Sequence, residues 1–456
     1  MNMGKQRRFS RSVAPALIAS LALTIAACSG SVGGGGGGGS ADSGSTSAAA
    51  GGVTRIKVWA WYPEFKPVVD LFNSTHKDIQ IDWTNAGAGG DEYTKLQTAL
   101  KAGKGAPDVV MLEFQELPTI NLTKHLVDMG KYGANSIKDN YVDWAWKQST
   151  DGDKVYAIPV DAGPMGLLYR EDIFKQHKLE VPKTWDEFKT TAQKLKAADP
   201  KAFITDFGAN DGGFMHGLFW QAGAKPYTYS ASNLPNIGVK LNDPNAQKVM
   251  SYWDDMVKSG LADTTSYGTT DFYNGLSTGK YATYIAAGWG PGYLQSVAKK
   301  TAGKWRAAPL PQWTPGGNAQ GDWGGSSFSV TDQSAHPKEA TQVAMEIFGS
   351  DKDAWKLGID KAFLFPTSKP ILEWDYFRNK KWDFFGGQPV NGDVFVPASE
   401  GVGVFDWTPF NDYVFGQLVA NVGGAVSKKT SFVDALNTTQ STVSTYAQKQ
   451  GFKVAP

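Results

Sequence analysis

Residues 55–72, RIKVWAWYPEFKPVVDLF, hold two periodicities back to back. Ile56 and Val58 alternate with Arg55 and Lys57, the period-2 pattern of a half-buried strand, and the run ends at Trp59 and a Trp61-Tyr62-Pro63 turn. Phe65, Val68, Val69 and Phe72 then recur at helical spacing. The same order repeats downstream. Ile79, Ile81 and Trp83 alternate, Asp91 and Glu92 open a helix with Tyr93, Leu96 and Leu100 on one face, Gly103 ends it, and 108–112 follows Pro107 as a short apolar run. Strand, helix, strand, helix, strand predicts an α/β fold with a mainly parallel sheet covered by helices on both faces.

Upstream, Lys5, Arg7, Arg8 and Arg11 precede an apolar stretch, 13–27, which is shorter than the ~20 residues a spanning helix needs. Ala26 and Ala27 stand before Cys28, the only cysteine. These features predict a secretory signal over 1–27. The segment Ile25-Ala26-Ala27-Cys28 resembles the lipobox of bacterial lipoproteins, with Ile25 where leucine is more usual. That resemblance implies acylation of Cys28 and anchoring to the outer face of the cytoplasmic membrane. Two acyl chains hold a protein on a bilayer where one holds it marginally. Residues 29–52 are almost wholly Gly, Ser and Ala, with glycine from 33 to 39, so 28–52 reads as a lipidated flexible tether. From 5–6 Å × √n its reach is roughly 25–30 Å.

About four hundred residues follow from Val53, enough for two lobes with a core each. The formal net charge is +1 and the basic residues do not cluster beyond the signal, so no nucleic-acid footprint is present. Sixteen Trp, seventeen Tyr and twenty-four Phe supply a core and can also line a cleft. The five histidines lack metal-site spacing, and no G-x-S-x-G elbow or phosphate loop occurs. No cofactor, metal or catalytic group is expected.

The middle, from Thr184 to about Met256, reads as mostly helical and starts with a Thr184–Glu187 capping box. Residues 281–285 form an apolar run, 307–313 an extended connection, 326–330 a strand, 336–348 a helix, and 411–447 a mostly helical tail. Within this frame lie AGKGAPDVVML at 102–112, KVYAIPVDAGPMGLLYREDIF at 154–174, VPKTWDEF at 181–188, GKYATYIAAGWGPG at 279–292, APLPQWTPGG at 308–317 and GGSSFSVTDQSAHPKEATQVAMEIF at 324–348. In that order and spacing they resemble the extracellular solute-binding proteins of carbohydrate ABC importers, over essentially the whole chain. One departure is Tyr169-Arg170, where that family usually has Tyr-Asn. The resemblance implies two lobes joined by crossing strands, with a hinge and an interlobe ligand cleft, as in periplasmic binding proteins. It places the first lobe at 53–160 plus 310–370 and the second at 161–309 plus 371–456. It also implies an oligosaccharide ligand, ABC importer membrane subunits as partners, and a monomer.

A pyranose ring presents an apolar C–H face and a belt of hydroxyls, so its site needs aromatic planes and planar polar groups. Trp61 and Tyr62 follow the first strand, and Glu113, Phe114 and Gln115 follow the third, at the strand ends where α/β sheets bind ligands. Asp161 and Gly163 stand at the first crossover, where the resemblance implies a carboxylate facing the cleft. Trp289 lies between glycines, which let the backbone turn sharply and project the indole. The resemblance implies that it stacks on sugar. Trp323 and Gly324 precede a strand in the same manner. Phe214, Phe365 and Trp407 are further candidates.

Two other classes remain at this level. Glu113 and Asp161 meeting across a cleft would suit a glycoside hydrolase, whose carboxyl pair stands roughly 5–9.5 Å apart. The fold also serves peptides, polyamines, iron and phosphate esters. Anionic solutes would need Arg or Lys in the cleft, and no arginine falls beside the aromatic loops.

Overall fold

A computed structural model describes residues 52–455. The expected signal, Cys28 and most of the tether lie outside the described residues. In chain order the main elements are β1 (Thr54–Trp59), α1 (Lys66–Thr75), β2 (Ile79–Thr84), α2 (Gly90–Lys101), β3 (Val109–Glu113), β4 (Ile158–Asp161), β5 (Gly166–Arg170), α3 (Trp185–Ala198), α4 (Gly212–Gln221), α5 (Pro244–Lys258), β6 (Thr283–Ala286), α6 (Gly290–Val297), β7 (Trp305–Pro309), β8 (Ser326–Val330), α7 (Pro337–Glu346), α8 (Asn411–Lys428) and α9 (Phe432–Lys449).

Local chemistry accounts for the element ends. Pro67 sits in the first turn of α1, where its missing N–H costs nothing. Asp91 and Glu92 stand at the start of α2 and Lys101 at its end, matching the helix dipole. Thr184 caps α3 by accepting from the Glu187 N–H at 3.1 Å. The Glu187 carboxylate reaches back one residue further than a capping box requires, to the Lys183 N–H at 2.7 Å.

The protein is a two-lobed α/β fold. Its first sheet runs β2-β1-β3-β8-β4. β1 is parallel to β2 and β3, but β8 is antiparallel to both β3 and β4. The second sheet, β6-β5-β7, is antiparallel throughout. The expectation of a mainly parallel sheet holds in the first sheet for every strand but β8, since β4, antiparallel to β8, runs in the same direction as β3. β8 enters from the other lobe instead of returning by a helical crossover and is reversed, and in the second sheet β5, which also arrives from the other lobe, runs against both β6 and β7.

The chain passes between the sheets after Asp161 and after Pro309. A third segment lies against the first: Ala162 N–H donates to Phe365 O at 2.9 Å and Thr367 N–H to Val160 O at 3.0 Å. The tail helices pack on the second sheet's side, α8 against α4 and α9 against α5. Much of the aromatic wealth is core. Trp185, Trp253, Trp305 and Trp355 are each no more than 1% exposed. No helix among the described residues is long and apolar enough to cross a membrane.

Candidate functional site

Because β1 and β3 are parallel, the loops they feed leave from one edge of the sheet. β8 runs the other way, so its first residue arrives at that same edge, where Ser326 stands level with Glu113 on one side and Asp161 on the other. Trp61, Tyr62, Glu113, Gln115, Glu116, Asp161 and Ser326 thus line one wall of a cavity of about 510 Å³. The second lobe supplies Asp211 and Gly213 at the start of α4, Tyr267, Trp289, Tyr293, and Asp412 and Phe415 of α8. Trp407 also lines it, and so do residues 322–325 of the second crossing.

The polar groups are prearranged. Tyr62 Oη lies 2.5 Å from Ser326 Oγ, and the Ser326 hydroxyl donates to Asp161. Tyr93 Oη–H donates to Glu113 Oε2 at 2.9 Å. Asp211 caps α4 by accepting from the Phe214 N–H at 2.8 Å, and Asp322 accepts from the Gly163 N–H at 2.8 Å. Burial pushes the Asp161 carboxyl up to about 7 and raises Glu113 and Asp211, while Asp322 is held well above the usual carboxylate range. A wall of such groups offers both acceptors and O–H donors to a solute.

The aromatic groups are braced at their edges. Trp289 Nε1–H donates to Trp323 O at 3.1 Å, and the two rings meet edge-on, 5.1 Å apart. Trp61 meets Tyr93 edge-on at 5.5 Å across the first wall. Trp61 and Trp289 are half-buried and keep part of the indole free. Phe363 lines the same cavity with φ 59, a left-handed conformation that side chains adopt only where neighbours enforce it. Together these walls can hold a solute with flat apolar faces and a rim of hydroxyls.

Of the residues singled out from sequence, Trp61, Tyr62, Glu113, Gln115, Asp161, Trp289, Trp323, Gly324 and Trp407 line the cavity. Phe114, Gly163, Phe214 and Phe365 do not. Phe114 is buried against Trp144 because β3 alternates, and the side chain after Glu113 turns to the opposite face. Phe214 packs behind the cavity on Phe207 and Trp323. Phe365 is enclosed by Phe377 and Phe395. Gly163 is a point of close approach, since a Cβ there would lie 2.0 Å from Trp323 O. The glycines beside Trp289 also serve packing. A Cβ on Gly288 would meet the Phe365 ring at 2.8 Å and one on Gly290 the Ala286 methyl at 2.7 Å, and neither glycine has positive φ.

Glu113 and Asp161 stand on one wall, to either side of Ser326, so they do not face each other across the cleft as a hydrolase pair would. Among the described residues no cluster of three or more His, Cys, Asp or Glu is placed to hold a metal ion. Arg170, at the departure from the family pattern, is 6% exposed and forks onto Asp172 at 2.8 and 2.7 Å, well away from the cavity lining.

Sequence reasoning missed Tyr93, Tyr267, Tyr293, Asp412 and Phe415. Tyr93 shares the helical spacing of Leu96 and Leu100, so its pattern is that of a core residue. Asp412 and Phe415 belong to a tail helix whose position no local signal gives.

The family described as "Bacterial extracellular solute-binding protein" matches residues 60–344. A lactose-binding protein of Rhizobium radiobacter is 28% identical over 355 residues, 74% of this chain and 80% of that protein. An arabinooligosaccharide-binding protein of Halalkalibacterium halodurans is 21% identical over 416 residues, 87% and 91% of the two chains. Among solved structures, the ABC transporter associated binding protein from B. animalis subsp. lactis Bl-04 in complex with beta-1,6-galactobiose superposes with TM-score 0.76 and 29% identity, covering 89% of this chain and all of that one. The galacto-N-biose-/lacto-N-biose I-binding protein of Bifidobacterium longum shares the fold with TM-score 0.78 at 24% identity, over 89% of this chain and 100% of its own.

Proposed function

Because the chain belongs to the bacterial extracellular solute-binding proteins, we propose that it captures an oligosaccharide outside the cell membrane and delivers it to the membrane subunits of an ABC importer. The observation that carries the reading is the pairing, in one cavity, of half-buried indoles, Trp61 and Trp289, with the acceptor row Glu113, Ser326 and Asp161. A sugar ring lies flat on the former and gives its hydroxyl hydrogens to the latter. The names of the relatives, lactose-, arabinooligosaccharide- and galactobiose-binding, support a short glycoside as the solute. The several aromatic platforms favour more than one ring.

The lobes we propose, 53–160 with 310–370 and 161–309 with 371–456, rock about the crossing segments and close on the sugar. Binding uses no cofactor and no catalytic group, and the protein works as a monomer. Acylation at Cys28 and the Gly/Ser tether keep it on the outer face of the cytoplasmic membrane, within reach of the importer.

A thermal-shift screen over mono-, di- and oligosaccharides tests this directly. A true ligand at 100 times its Kd adds about 2.7 kcal/mol of stability. Trp289→Ala then weakens that ligand by roughly 1.5–3 kcal/mol in calorimetry. If no glycoside moves the melting temperature, the sugar reading fails. Unchanged affinity in the variant removes Trp289 from the site.

A further inference from the structure

Six carboxylates, Glu113, Glu116, Asp161, Asp211, Asp322 and Asp412, line the cavity, and no Lys, Arg or His does. Four of them are engaged by the protein itself, through Tyr93, Ser326, the Phe214 N–H and the Gly163 N–H. Glu116 differs. It is 1% exposed, yet its Oε2 has no hydrogen-bond partner. The carboxyl that acts on it most strongly is that of Asp412, which the tail helix α8 brings to the same cavity. A buried acceptor left open costs free energy until a donor fills it.

We infer that Glu116 and Asp412 select the solute by charge: the cleft accepts glycosides that present hydroxyl or amino hydrogens to this pair and refuses those that present a carboxylate, sulfate or phosphate. This rests on the sugar reading above. A ligand O–H or N–H would be accepted by the exposed Asp412 carboxyl, with the buried Glu116 beside it. An anionic substituent would bring negative oxygens to a lining of six carboxyl groups that holds no cation to offset them. Burial, and then the neighbouring Asp412, already hold Glu116 well above the usual carboxylate range.

Calorimetric titration with three probes decides the matter: lactose, lactose with the galactose C6 oxidised to a carboxylate, and lactose with an amine at that carbon. β-1,6-Galactobiose and its two derivatives replace them if the screen prefers it. The wild type should bind the carboxylate probe roughly 100-fold more weakly than the neutral one, and the amine probe at least as tightly as the neutral one. Glu116→Gln and Asp412→Asn should each narrow the carboxylate penalty by about tenfold. Asp412 is exposed, so its substitution leaves the fold in place even if the buried position does not tolerate change. Binding of the carboxylate probe within about threefold of the neutral one, or a penalty unchanged in Asp412→Asn, overturns the charge selection. Failure of every neutral glycoside in the screen instead overturns the sugar reading, and the charge selection with it.

Discussion

Asp161 ends β4 with its carboxyl accepting from Ser326 on β8, while Glu113 lies on that strand's other side. Burial lifts it from the ordinary aspartate value of 3.8 to about 7. The folded state therefore holds a proton that the unfolded chain has already released. The stability this contributes is complete below pH 3.8 and is lost as pH rises towards 7. Glu92 and Asp206, each raised by burial to about 8, act with the same sign. His216, buried between the Gly212 carbonyl and Tyr227 and lowered to about 4, acts oppositely, losing stability as pH falls from 6.5. In urea titrations of the apo protein, Asp161→Asn should flatten the decline between pH 4 and 7 by on the order of 3 kcal/mol, leaving the remainder to Glu92 and Asp206. Parallel wild-type and variant curves would contradict the assignment. Trp61 and Glu113 were legible as candidates because they stand at strand ends, and Trp289 because it lies between glycines. Glu116 lies in the same loop as Glu113, but a loop glutamate gives no sign in the sequence that it will be buried.

At the scale of elements, the turn into β8 sets the register of the whole wall. Gly324 and Gly325 have φ of 93 and 96, a conformation side chains rarely adopt. A Cβ on Gly325 would also lie 2.9 Å from the Phe114 ring and 3.0 Å from Asp161 O. Gly325→Ala should therefore destabilise the protein by about 2 kcal/mol in chemical denaturation. An unaltered midpoint would show that the turn relaxes without cost. The first five elements were readable from periodicity, since apolar spacing of two or of three and four residues is a local property. The direction of β8 was not, because an apolar run does not say which neighbour it pairs with. Likewise the glycines around Trp289 suggested a sharp turn. They in fact accommodate Phe365 and Ala286, residues near to them only after folding.

For the molecule as a whole, three segments pass between the lobes side by side, joined by the hydrogen bonds Gly163 N–H to Asp322, Trp323 N–H to Gly163 O and Ala162 N–H to Phe365 O. Crossing segments of this kind suit rotation of one lobe against the other. Small-angle scattering should give a smaller radius of gyration with saturating glycoside than without, and an identical value in both states would argue against closure. The sequence alone determined the α/β class, the succession of early strands and helices, and the aromatic and acidic residues at strand ends. These depend on neighbours a few positions apart. Only the tertiary structure decided that the sheets are mixed and antiparallel, that Glu113 and Asp161 share one wall, and that Asp412 of a distant helix meets Glu116. Those pairings join residues far apart in the chain, and close packing of two cores decides which side chains remain at the cleft and which are enclosed.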